Sequence, residues 1–188
     1  MRVLVTAASK YGATAGIAEA IGRTLEDEGL EVEVVAVEDV GDLGSYDALV
    51  LGSGVYVGQW LKSARRFVDD HAGEIAEMPT WIFSSGPIGD PPTPEESSAV
   101  KTDEIVEQTA AREHRLFAGK LDKSRLRFGD RAVVTAVRAA EGDFRDWDEI
   151  AAWSREIARA VRAEQGRQDS NLQPSALEAA ALPVELRP

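Results

Sequence analysis

The chain has 188 residues, enough for one domain with a full core, and a net charge of −12. That balance excludes wholesale nucleic-acid binding and fits an acidic surface that docks onto basic partners. With no cysteines, disulfides, thiolate chemistry, iron–sulfur ligation and Cys-based zinc sites are excluded, and the two histidines, His71 and His114, are too far apart in sequence to form a metal-ligand motif.

In chain order, residues 2–7 read as an apolar strand and 13–28 as an amphipathic helix with Ile17, Ile21 and Leu25 on one face, ended by Gly29. Only a short apolar run follows Arg2, so no signal peptide is expected, and no run reaches the roughly 18–20 residues that span a bilayer. The expected location is therefore the cytoplasm. Val32, Val34, Val35 and Val37 form a second strand, and the short apolar run 47–52, closed by Gly52, a third. Trp60 to His71 reads as a helix with Leu61, Ala64, Val68 and His71 on one face. Residues 80–84 are a fourth strand, 95–112 a polar helix, and Leu116-Phe117-Ala118 centres a fifth strand. The last helix, 146–163, keeps Trp147, Ile150, Ala151, Ser154, Ile157, Ala158 and Val161 in register and leaves Trp153 off the stripe. This alternation predicts an α/β doubly wound, five-stranded parallel sheet in the order 2-1-3-4-5 with helices on both faces.

In that order strands 1 and 3 meet at the topological switch point, and ligands bind beyond the carboxyl ends of the strands. The loop after strand 1, Ser9-Lys10-Tyr11-Gly12-Ala13-Thr14, opens directly into a helix. A helix N-terminus leaves backbone N–H groups unpaired and carries positive potential, so it favours an anion. Ser9 and Thr14 add hydroxyls, and Gly12 lets the backbone approach closely. The loop is neither a dinucleotide fingerprint nor a nucleoside-triphosphate loop, which leaves a hydroxyl-rich loop suited to one terminal phosphate. The loops after strands 3 and 4 carry Ser53, Gly54, Val55, Tyr56, Val57 and Ser85, Gly86, Pro87, Gly89. Their small residues let backbone groups reach the polar edge of a planar ring, and Tyr56 or Trp60 offers a stacking wall. One phosphate loop plus two ring-side loops is the arrangement a flavin mononucleotide (FMN) requires. A phosphoacceptor receiver would need acids at the strand ends, where this chain has Thr6-Ala7-Ala8 and Gly52-Ser53.

The Ser9–Thr14 loop, the segment Leu51–Leu61 and the strand Trp81–Pro87 resemble the flavodoxin-domain superfamily. The stretches Phe117–Asp122 and Glu141–Ile150 are similar to its branch of menaquinone-dependent protoporphyrinogen oxidases. The resemblance covers about residues 1–163. It implies a flavodoxin-like three-layer fold, bound FMN, a phosphate held by residues 9–14, and a ring flanked by 54–57, 85–87 and 89. It also implies electron transfer from an organic, porphyrinogen-like substrate to a quinone or protein acceptor. The chain departs from that branch in being acidic and in having a shorter stretch at 119–145. The competing readings are a flavodoxin-type electron carrier without its own substrate and a cofactor-less protein-interaction module.

Arg112, Arg115, Lys120, Lys123, Arg125, Arg127 and Arg131 cluster against Glu113, Asp122 and Asp130. The favoured reading is a solvated face with internal ion pairs. The sharper one is a docking patch for propionates or an anionic lipid surface, giving peripheral membrane contact through 119–131. Residues 166–188 follow Gly166, contain three prolines and resemble peptides made when a reading frame runs into a transfer-RNA gene. They are expected to be a disordered or artefactual tail beyond a domain at 1–165.

Overall fold

The computed structural model of the protein describes residues 1–86, 101–126 and 141–172. Parallel strands β1 (Arg2–Ala8), β2 (Glu31–Ala36), β3 (Ala48–Tyr56), β5 (Thr80–Gly86) and β6 (Glu113–Ala118) stand in the order β2-β1-β3-β5-β6. Counting parallel strands alone, this is the expected 2-1-3-4-5 order. A short strand β4 (Gln59–Trp60) pairs antiparallel with the end of β3, and β7 (Lys120–Leu121) pairs with β8 (Gly142–Asp143) outside the main sheet.

The helices cover both sheet faces because the strands are apolar on both. Along β1, Val3, Val5 and Ala7 join one core and Leu4 and Ala8 the other, as a period of two requires. The first core is closed by α1 (Ala13–Asp27) and α4 (Trp147–Leu172). The second is closed by α2 (Lys62–Glu77), with Ile105 of α3 (Asp103–Thr109). On the first face, Trp153 stacks edge-on against Phe83 and Phe117, with ring centroids 6.3 and 5.5 Å away. A Cβ on Gly52 would collide with the Phe83 ring, so that strand position must be glycine for the cluster to form.

Several expectations need correction. Trp153 lies in the core, 1 % exposed, with its indole N–H bonded to Glu113 Oε2 at 2.8 Å. Trp153 stands three residues after Ile150 and four before Ile157, on the buried stripe itself; the expected stripe was centred too far round, on Trp147, which is 44 % exposed. Trp60 is not in a helix: the turn at Val57 and Gly58 folds it back onto β3 as β4, and α2 starts only at Lys62. His71 sits at a kink in α2 (φ −120°, ψ 17°), with Phe67 and Ile75 rather than His71 completing the apolar face. Within the expected helix 95–112 the described helix is Asp103–Thr109, and residues 95–100 lie outside the described residues. The last helix continues through Gly166 to Leu172, since one helical glycine costs only about 1 kcal/mol. The remaining tail, 173–188, is outside the described residues, as are Pro87, Gly89, Arg127 and Arg131.

Candidate functional site

The carboxyl ends of β1, β3 and β5 form one edge of small residues. Ala8 pairs with Ser53, Ser53 with Ser84, and Gly54 with Ser85. At one end of this edge the chain turns through Ser9–Gly12 into α1. Gly12 is the helix N-cap in the left-handed region (φ 85°), and no side chain caps the helix. Its amide donates to Ser9 Oγ at 3.2 Å, which closes the loop on itself. The first backbone bond of the helix runs from Gly16 N to Gly12 O at 3.0 Å. The amides of Ala13, Thr14 and Ala15 therefore have no carbonyl of their own helix to bond. No acidic residue sits in the first turn to satisfy them. A Cβ built on Gly12 would meet nothing within 4 Å, so the space beside the loop is open.

The strand-3 loop stands next to this one. A Cβ on Gly54 would lie 3.2 Å from Thr14 Oγ1 and 3.8 Å from Ala8 O. Lys10 Nζ lies over the Tyr56 ring at 4.4 Å and over Tyr11 at 5.6 Å, so a cation bridges the two loops. Tyr56 leads into a two-residue turn with positive φ at both Val57 (50°) and Gly58 (74°). Such a hairpin turn suits Asn-Gly, and a β-branched residue there is strained. Val57 is also 78 % exposed.

Polar anchors hold the hairpin. Ser53 Oγ accepts the Leu61 amide at 3.0 Å and donates to Gly54 O at 2.9 Å. Gly58 O accepts the Lys101 amide at 2.8 Å. Trp60 is 2 % exposed and donates through Nε1 to Ser84 Oγ at 2.7 Å. Trp60 is therefore no stacking wall, and of the two aromatics proposed for that role only Tyr56 remains half-exposed.

Ser84 in turn lies 2.8 Å from His114 Nε2, and Thr102 Oγ1 lies 3.4 Å from His114 Nδ1. An indole N–H can only donate, so the Ser84 hydroxyl accepts from Trp60 and keeps its own hydrogen and a second lone pair for its contact with His114. Burial holds the His114 pKa below the ordinary 6.5, with Asp103 opposing weakly. His114 is thus a structural partner within β6, held between Ser84 and Thr102.

Of the sequence-predicted residues, Ser9 to Thr14, Ser53 to Val57, Ser85 and Gly86 all stand along this edge. Ser85 and Gly86 are buried, and Pro87 and Gly89 fall outside the described residues. Sequence reasoning missed Arg145, whose side chain is 11 % exposed. Its Nε and Nη2 bond the two oxygens of Asp143 at 2.7 and 2.5 Å, and its Nη1 donates to Ala13 O at 3.3 Å. The guanidinium stacks on Trp147 at 4.4 Å and holds the Asp143 carboxyl below its usual range through the hydrogen bond. The one local signal was the spacing of Asp143 and Arg145, two residues apart and of opposite charge; the contact with α1 left no mark in the sequence.

The basic cluster is largely internally paired where it is described. Arg112 bridges to Glu164, Arg115 reaches Glu113, Glu149 and Glu156, and Lys120 lies 3.7 Å from Asp143. No described helix is long and apolar enough to cross a membrane.

The flavodoxin domain family matches residues 4–148 of the chain. Among solved structures, a flavodoxin from the domain Archaea is similar at a TM-score of 0.57 and 21 % identity, over 86 % of this chain and 99 % of its own. Oxidised Flavodoxin 1 from Bacillus cereus is similar at 0.57 and 18 % identity, over 85 % and 98 %. Rubredoxin oxygen:oxidoreductase from Desulfovibrio gigas is similar at 0.61 and 16 % identity, over 87 % of this chain and 37 % of that one. The chain thus spans little more than a third of that last protein. At such identities these structures carry the fold alone.

Proposed function

The chain belongs to the flavodoxin domain family, and on that premise we propose that it is an electron-transfer flavoprotein built around FMN. FMN is the cofactor that membership of the family implies. The residues fit it on their own chemistry. An uncapped helix N-terminus without acids suits a phosphate, and the strand edge beside it is lined by small residues that leave room for a flat ring. When bound, the flavin supplies the redox chemistry, taking up and releasing electrons.

The protein's part is to bind, orient and shield. The amides of Ala13 and Thr14 and the hydroxyls of Ser9 and Thr14 hold the phosphate. Lys10 stays over Tyr56 and ties the phosphate side to the ring side. Backbone groups of Gly54, Val55, Tyr56 and Val57 line one side of the ring, and Ser85 and Gly86 the other, with Pro87 and Gly89 continuing by sequence position. Ser53 acts one step back, since its hydroxyl already bonds Leu61 and Gly54. The observation that carries this reading is the open, acid-free first turn of α1 at the switch point of the sheet.

Two narrower readings follow. The net charge of −12 favours a carrier that docks onto basic redox partners. The segments at 117–122 and 141–150 favour a substrate-oxidising, protoporphyrinogen oxidase-like protein with a quinone or protein acceptor. The test begins with a visible spectrum of the purified protein after addition of FMN and desalting. Retained flavin absorbance with altered fluorescence supports the cofactor. Complete loss of FMN, riboflavin and FAD alike defeats it and leaves a protein-interaction module. Porphyrinogen turnover with a quinone then separates oxidase from carrier.

A further inference from the structure

Arg145 lies in neither the phosphate loop nor the ring-side loops, yet its guanidinium rests on the first turn of α1. Three of its five N–H donors are engaged: two by Asp143 and one by Ala13 O. The planar fork to Asp143 and the stack on Trp147 fix its orientation. It lies so close to α1 that a Cβ on Gly16 would stand 2.7 Å from Nη1. Lys120, 3.7 Å from Asp143, offsets that carboxylate, so the local group of Arg145, Lys120 and Asp143 carries one net positive charge. This occurs in a chain whose overall charge of −12 opposes a phosphate dianion.

The bonded atom matters most. Ala13 C=O and Thr14 N–H belong to one rigid peptide plane. A cationic donor on that carbonyl fixes the plane and polarises it, which strengthens Thr14 N–H as a donor. Thr14 N–H is one of the helix amides without an intrahelical acceptor. Resting on the flavin reading above, we propose that Arg145 is a positioning residue for the flavin phosphate. It acts through the Ala13–Thr14 peptide and sets the preference of the site for FMN over riboflavin.

A purely structural Arg145, tying residues 143–147 to α1, would affect both flavins alike. The experiment therefore measures dissociation constants of FMN and riboflavin by fluorescence quenching on the flavin-free protein, with melting temperature in parallel. Arg145→Met is expected to weaken FMN about tenfold while leaving riboflavin within about twofold, and Arg145→Lys to recover part of the loss. Gly16→Ala gives an independent route. It favours the helix by propensity but pushes the guanidinium off the first turn, and should lower the FMN-to-riboflavin preference in the same direction. An unchanged preference in both Arg145→Met and Gly16→Ala overturns the inference while the flavin reading survives. A wild-type protein that binds neither flavin overturns both.

Discussion

Replacing Ser84 by alanine removes the one oxygen that both Trp60 and His114 use. Trp60 is 2 % exposed, so its indole N–H would be left buried without an acceptor. An orphaned buried donor costs about 1–3 kcal/mol, and the lost bond to half-buried His114 adds about 0.5–1.5 kcal/mol. The expected loss is about 1.5–4.5 kcal/mol, a large share of the roughly 5–15 kcal/mol typical of a domain. Urea unfolding at pH 7.5 measures it, and an unchanged slope keeps the comparison two-state. A double variant with Trp60→Phe sharpens the test. Without the indole N–H there is no orphan, so Ser84→Ala should cost less in the Trp60→Phe background by at least about 1 kcal/mol. A loss below about 0.5 kcal/mol for Ser84→Ala, or strict additivity of the two changes, refutes the relay as an energetic unit.

His114 gives a pH dependence whose sign follows from burial. Its folded pKa lies below the ordinary 6.5, so the unfolded chain takes up the proton first as pH falls. Native stability is therefore full above about pH 6.5 and declines below it until the folded pKa is passed; His114→Gln should flatten this part of the profile in pH-dependent urea titrations. Thr6 Oγ1 is, among the described residues, the one buried side-chain polar atom without a partner. Thr6→Val should hold or raise stability by up to about 1 kcal/mol, and a loss above that would mean the hydroxyl has an acceptor, such as an ordered water. Gly52→Ala should cost about 1–3 kcal/mol, because its Cβ meets the Phe83 ring, and wild-type thermal stability would contradict the packing described for the aromatic cluster.

The sheet was legible because valines and leucines recur in short runs separated by glycine and polar loops, and two-sided burial leaves that mark plainly. Strand order followed from right-handed crossover rules rather than from any single residue. The turn from β1 into α1 was legible because Gly12 stands between the end of an apolar strand and the start of a helical apolar stripe. The hairpin at 56–60 was not, since Val57 is a poor residue for a positive φ and nothing in Tyr-Val-Gly-Gln announces the turn except Gly58. Trp60 consequently looked like a helix residue facing the ring. Arg145 and the Ser84–His114 pair depend on contacts across 132 and 30 residues, and local pattern carries no information about such distances.

The edge formed by Ala8, Ser53, Gly54, Ser84, Ser85 and Gly86 has a consequence for how this protein can diverge. The main-chain dipoles along it do not titrate or change with the codon. A mutation at Gly54 adds bulk, and one at Ser53 or Ser84 also breaks a hydrogen bond that holds the hairpin. Change is cheapest at the exposed rim, at residues such as Val57 and Lys10, whose side chains no core packs against.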